Sequence, residues 1–307
     1  MTPDVFCSLW VSLNHHDWSS RHRDKFYWPK ATSPRSTMDP GDTAQRSLEH
    51  WSESGLREME EFYVLATEDY RQLALAADWA ALLGERAHQG WSLLDVACGS
   101  GKFPTALVRF TAVASLPGVA YDLLDPSAFS VATARAALAP PFMPRNDLVM
   151  PLQELPSSCG PYDVVWATHA LYALPPDELD VAMARFASAL APEGLGVVAQ
   201  ATGRSHYLSF YDAYRAGVRD ATPYTTAEMV AASLRTAGMD VREQVITYET
   251  GTSDRDVAEG FLQRCAFDDT VSLEEMEAAP VLGEYLASCR RPDGSYVFSN
   301  EVALLWM

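Results

Sequence analysis

The sequence predicts an α/β fold: a Rossmann-like, doubly wound sheet of seven strands, parallel except for an antiparallel last strand, with helices on both faces. Three observations carry that expectation. Between residues 93 and 237 short apolar runs alternate with helical stretches, the pattern of strands that need a crossover helix to return parallel. The run Leu93-Leu94-Asp95-Val96-Ala97-Cys98-Gly99-Ser100-Gly101-Lys102-Phe103 reads as a strand that ends in a glycine turn and feeds a helix, a place where bare backbone can meet a ligand. Near the C-terminus, residues 244–249 and 296–306 alternate apolar and polar side chains, and Arg291-Pro292-Asp293-Gly294 makes a turn before the second, so the two can pair antiparallel.

Taken in order, residues 56–83 read as helical, with a break at Thr67, whose hydroxyl would cap the second helix. Residues 93–97 form the first strand and 105–116 its helix; residues 120–124 form the second strand. Asp125-Pro126-Ser127 then opens a helix through Leu138, with proline near the first helical position, where its missing N–H costs little. A short third strand is expected at 147–152, a fourth at 162–168, a long amphipathic helix at 176–190, a fifth strand at 194–201 and a further helix at 225–237.

At 307 residues with 48% apolar side chains, the chain can bury a sizeable core, which excludes a disorder-dominated protein. A net charge of −18 repels phosphate backbones and argues against a nucleic-acid partner. Cys7, Cys98, Cys159, Cys265 and Cys289 are odd in number, far apart and without a C-x-x-C pair, so neither a disulfide framework nor a metal site is expected. No membrane span and no leader peptide are legible, and the expected location is the cytoplasm. Residues 1–37, with Trp10, Trp18, Trp28 and His15-His16 but no sustained period, read as a flexible extension or as the product of an upstream start, with Met38 the natural beginning.

Spacing narrows the chemistry of the glycine turn. A dinucleotide fingerprint places a third glycine three residues after the second, for close helix packing, and Pro104 stands there. With Asp95 in the strand end and Ala97, Gly99 and Gly101 following, the segment resembles instead the D-x-[GA]-x-G-x-G loop of class I S-adenosylmethionine-dependent methyltransferases. Asp125, at the mouth of the second strand, is placed to accept hydrogen bonds from ribose hydroxyls, and a helix cap is its competing role. Asp122 lies within that strand and is the weaker candidate. The acid that class I proteins usually direct at adenine is replaced by Pro151, leaving Gln153 or Glu154; Ser130 and Thr168 complete the cofactor set that the resemblance implies. His169 and Tyr172, just past the fourth strand, would face the crevice at the carboxyl edge of the sheet.

A closer resemblance runs from about Leu56 to the C-terminus. Leu116-Pro117-Gly118-Val119 through Leu124-Asp125-Pro126-Ser127, the strand at Tyr162-Asp163 with its Leu171-Tyr172, the Gly203-Arg204-Ser205 loop and the ending Gly294-Ser295-Tyr296-Val297-Phe298-Ser299-Asn300 together resemble the histamine N-methyltransferase family. By motif, that family's ammonium-binding glutamate falls on Glu68 and its substrate-binding asparagine on Asn300. His169 stands where the family has glutamine, Ala173 replaces one of two adjacent tyrosines beside Tyr172, and Tyr207 and Tyr211 align with tryptophans of the insertion, so the pocket is expected to differ in shape.

The resemblance implies three parts: the extension at 1–37, N-terminal helices at 38–90 that contribute to the substrate pocket, and a donor-binding domain at 91–307 with a pocket insertion around 203–225. It also implies S-adenosylmethionine as cofactor and a small-molecule acceptor, cationic or aromatic, most simply an amine or imidazole nitrogen, in a monomer or weak dimer. Asn300 and His169 are the expected catalytic residues: they orient a neutral ring nitrogen, or His169 removes a proton where the acceptor carries one. The alternatives are an O-, C- or S-methyltransferase and a non-methylating protein on the same fold.

Overall fold

A computed structural model describes residues 43–52 and 56–307. These lie in one compact unit, Asp39–Met307, and the expected extension at 1–37 falls outside the described residues. Seven strands form a single sheet. Five of them, β1 (Ser92–Val96), β2 (Val119–Leu124), β3 (Phe142–Leu148), β4 (Tyr162–Thr168) and β5 (Leu190–Ala201), pair parallel, and β7 (Tyr296–Trp306) runs antiparallel to both β5 and β6 (Arg242–Thr252). Their order across the sheet is β3-β2-β1-β4-β5-β7-β6. This is the doubly wound sheet expected, with its last strand reversed. The reversed strand lies inside the sheet, and β6 forms the outer edge.

The period of two assigns each side chain to one of two cores. The first two helices of the described chain are α1 (Thr43–His50) and α2 (Leu56–Leu75). Leu93, Tyr121, Leu123, Val164, Trp166 and Leu304 point to the face covered by α3 (Trp79–Gly84), α4 (Lys102–Phe110) and α5 (Ala128–Ala137). Leu94, Val96, Val165, Ala167, Val198 and Leu305 point to the other, under α6 (Leu179–Ala189) and α8 (Ala227–Thr236). A third cluster joins α2 to α7 (His206–Gly217), α9 (Arg255–Ala266), α10 (Leu273–Ala278) and α11 (Pro280–Cys289). The expected insertion at 203–225 contains α7.

Local chemistry moves several expected boundaries. α2 runs unbroken through Thr67, whose hydroxyl donates back to the Tyr63 carbonyl at 2.6 Å instead of capping a new helix. The break comes later, where Asp78 accepts from Ala81 N–H and caps α3. Leaving Gly101 in the left-handed region, the chain enters α4 at once, and α4 stops at Phe110 instead of Leu116. Ser127, not Asp125, caps α5, which frees the Asp125 carboxylate for the loop described below. The third strand lies five residues earlier than expected at its start, because this edge strand buries Phe142 alone and leaves no apolar alternation to read. Among the described residues no helix is long and apolar enough to cross a membrane.

Candidate active site

The loop after β1 holds three residues at positive φ: Ala97 at 50°, Gly99 at 51° and Gly101 at 71°. Glycine reaches that region freely, whereas Ala97 does so at a cost of about 1–2 kcal/mol, met by the surrounding packing. Gly101 has a second reason to be glycine. A Cβ there would stand 3.2 Å from Cα and 3.3 Å from the carbonyl oxygen of Ala134, so the absent side chain lets α4 start hard against α5.

Asp125, at the end of β2, fastens the loop. Its Oδ2 accepts from Gly99 N–H at 3.0 Å and its Oδ1 from Ser127 N–H at 2.8 Å. Each oxygen keeps a lone pair for a further donor. Burial pushes the carboxyl up to about 6, opposed by the two amide hydrogen bonds. Asp95 is also buried, takes the Tyr121 hydroxyl at 2.6 Å and is raised to about 7 by desolvation.

A cavity of about 270 Å³ opens from this loop along the carboxyl ends of β1, β2 and β4. Its loop end is lined by Asp95, Ala97, Gly99, Asp125, Ser130, Gln153 and Thr168; of the other expected cofactor residues, Gly101 shapes the turn, and Glu154, the alternative to Gln153, does not line the cavity. Ser130 Oγ is buried and without a hydrogen-bond partner among the described residues. The segment before α2 closes one side: Ser127 Oγ donates to the Trp51 carbonyl at 2.7 Å, Arg264 donates to that of His50 at 2.6 Å, and Ser47, Leu48 and Trp51 face the cavity.

The far end is a chamber of aromatic rings. Among the substrate residues expected from sequence, His169, Tyr172 and Tyr207 line it, with Tyr70 and Tyr224; Tyr63 stands beside the loop, its hydroxyl accepting from Ser100 Oγ at 3.1 Å. His169 adopts φ 53°, and its ring meets Tyr70 edge-on at 5.7 Å and lies 6.2 Å from both Tyr172 and Tyr207. Burial lowers its imidazole to about 4, so it is neutral at physiological pH.

Three expected substrate residues are elsewhere. Glu68 is half-buried on the outside of α2, gripped by Arg71 through two hydrogen bonds of 2.8 Å and by Gln72 at 2.7 Å; the Arg71 contact holds its carboxyl below the usual range. It does not line the cavity. Asn300 is buried in β7 opposite Tyr248 and donates to Thr250 Oγ1 at 3.3 Å; it borders a separate shallow depression with Arg204 and Glu301. Tyr211 stacks on Tyr224 at 3.6 Å and takes Arg46 Nη2 on its hydroxyl at 2.9 Å, one layer behind the chamber wall.

The carboxylate that does reach the chamber is Asp69. Among the described side chains of α2, Phe62, Leu65, Ala66, Asp69, Leu73 and Ala74 are buried, a stripe at helical spacing, so the helix turns Asp69 inward and Glu68 outward. A lone acid on an otherwise apolar stripe was the signal available in the sequence. Asp69 is 3% exposed; its Oδ2 accepts the Tyr207 hydroxyl at 2.5 Å and its Oδ1 has no hydrogen-bond partner among the described residues. Desolvation raises its carboxyl to about 7, against the Tyr207 hydrogen bond.

Comparison with known proteins agrees with this geometry. A family model described as a methyltransferase domain matches residues 94–195, from β1 into β5. No curated protein matches the sequence. Among solved structures, a candidate methyltransferase from Bacillus halodurans superposes with a TM-score of 0.51 at 14% identity, covering 75% of this chain and 98% of that one. The magnesium protoporphyrin IX methyltransferase of Synechocystis matches at 0.49 and 14%, over 85% and 99% of the two chains. A possible histamine N-methyltransferase from Thermotoga maritima matches at 0.46 and 15%, over 65% and 84%.

Proposed function

Starting from a chain that is a methyltransferase of the class I fold, with S-adenosylmethionine as its methyl donor, we propose that it methylates a nitrogen of a small amine- or imidazole-like acceptor. The residues at the loop end of the cavity fit that donor. Asp125 keeps a free lone pair on each oxygen for a vicinal diol, Ser130 Oγ is a buried hydroxyl without a partner, and the backbone of Ala97 to Gly99 is bare enough for close approach. Gln153 and its neighbours flank the place for the base. When bound, the donor supplies a methyl carbon already activated by a positive sulfur.

The protein's own work is then alignment and exclusion of water. Tyrosine faces in the chamber favour a positive or planar acceptor through stacking and cation–π attraction. The observation that carries the nitrogen reading is Asp69: an acid inside an aromatic chamber that opens onto the donor loop is matched by a cationic nitrogen. Incubation with S-adenosylmethionine and a panel of aromatic amines, imidazoles, phenols and carboxylic acids tests it by mass spectrometry. Gain of one methyl on amines or imidazoles is the expected result; transfer to phenols or acids alone would refute it.

A further inference from the structure

Resting on the N-methylation reading, an acceptor that arrives as an ammonium needs a base, and His169 and Asp69, both lining the chamber and both against Tyr207, are the candidates. Hydrogen bonding separates their roles. The Tyr172 hydroxyl accepts from Ala201 N–H at 3.2 Å and lies 2.8 Å from Nδ1 of His169. A phenol has one proton to give, and Nδ1 is the acceptor for it among the described residues. Tyr172 therefore donates to Nδ1, and the ring keeps its own proton on Nε2. That nitrogen is buried and has no protein partner among the described residues, so in this tautomer it is a donor with no lone pair for a proton.

Asp69 has the opposite character: Oδ2 accepts from Tyr207, and Oδ1 is a buried acceptor without a hydrogen-bond partner of good geometry among the described residues, with the Tyr248 hydroxyl near enough to favour the carboxylate. Glu68 and Tyr70 of α2, Tyr172 after β4, Tyr207 of α7, Tyr248 of β6 and Cys265 of α9 act on it electrostatically, and none of them is a cation.

We infer that Asp69 is the catalytic base for an alkylammonium acceptor, and that His169, protonated on Nε2, is not. One N–H bond of the ammonium breaks, its electron pair stays on nitrogen as the attacking lone pair, and the proton passes to Oδ1 of Asp69. The new N–C bond forms from that pair as the methyl leaves, and the electrons of the broken bond remain on the donor's sulfur. The methylated ammonium carries the positive charge away, and Asp69 returns its proton to solvent after release.

Two probes and one spectrum test this. With 2-phenylethylamine, kcat should rise with pH through an acid limb near pH 7, the value to which burial lifts Asp69. Asp69→Asn should abolish that limb and lower kcat by about 100-fold, leaving S-adenosylhomocysteine affinity unchanged. Tyr207→Phe should shift the limb to higher pH, because it removes the hydrogen bond that favours the carboxylate. Nitrogen-15 NMR should find the His169 proton on Nε2 in the wild type and shared between both nitrogens in Tyr172→Phe. An acid limb that survives in Asp69→Asn, a wild-type His169 proton on Nδ1, or methylation of 4-methylimidazole with 2-phenylethylamine untouched would overturn the assignment while leaving N-methylation standing. A protein that binds S-adenosylhomocysteine and methylates neither probe overturns the proposed function and the base assignment together.

Discussion

Gly101 is where the turn after β1 and the packing of α4 on α5 meet, and three glycine-to-alanine variants separate the two demands made on it. Gly203 has no positive φ, and no atom lies within 4 Å of where its Cβ would stand, so Gly203→Ala should change stability by no more than about 0.5 kcal/mol. Gly238, which follows α8 at φ 89° with open space around it, isolates the backbone term: Gly238→Ala should cost about 1–2 kcal/mol, the penalty of a left-handed L-residue. Gly101 at φ 71° adds the approach to Ala134 at 3.2 Å, which forces α4 and α5 apart by a few tenths of an ångström and adds about 1–3 kcal/mol of overpacking. Gly101→Ala should therefore lose about 3 kcal/mol in all. Urea unfolding of the three variants, compared by midpoint at equal slope, reads the series directly. Equal losses for Gly101→Ala and Gly238→Ala would refute the packing argument, and a comparable loss in Gly203→Ala would refute the conformational one.

Two further outcomes follow from the same geometry. Asp122, 1% exposed, takes Arg145 through 2.8 and 2.7 Å contacts, Asn146 through two more and the Tyr162 hydroxyl at 2.8 Å; burial pushes its carboxyl up, and these hydrogen bonds more than reverse that, so it lies below the usual carboxylate range. A depressed pKa stabilises the fold at pH above the unfolded value, roughly 3.9, and that contribution fades as pH falls through the folded value. Asp122→Ala should cost about 3 kcal/mol at pH 7 and flatten the acid limb of the stability curve, as thermal scans from pH 3 to 7 would show. His169 is neutral and is not the base, so His169→Gln should hold turnover within about threefold and leave the acid limb of kcat near pH 7 in place, as product mass measured against pH would show. A collapse of turnover in His169→Gln would return the base to His169.

The strands whose residues are buried on both faces were the legible part of the fold. β4 lies at Tyr162–Thr168 and β7 at Tyr296–Trp306, as the apolar run and the alternation predict, because nothing but strand geometry buries those patterns. β3 was displaced because an edge strand of which Phe142 alone is buried carries little period. Helices α9 to α11 escaped the pattern reading, although Asp254, the Ser272–Glu275 capping box and Pro280 mark their starts. In the site, Asp125 and the glycine turn were legible because their chemistry is local: backbone conformation and one carboxylate at a strand end. Glu68 lies outside the cavity: a motif carried along the chain ignores helical phase, and one residue turns a side chain by about 100°. That is the difference between Glu68, bound to Arg71, and Asp69, inside the chamber. Asn300 lies outside the cavity as well. It shares a strand with landmark residues, but its side chain lies against Thr250, away from the cavity.

The central claim is that the loop from Ala97 to Gly101, fastened by Asp125, holds the methyl donor. Isothermal titration of S-adenosylhomocysteine into the wild type and Asp125→Asn tests it most directly. An amide in place of the carboxylate can no longer accept from both Gly99 and Ser127 and weakens its hold on a diol, so the account predicts one saturable site in the wild type and an affinity about 10- to 100-fold lower in the variant, equivalent to about 1.4–2.7 kcal/mol. No heat in the wild type, or the same affinity in both proteins, would contradict it.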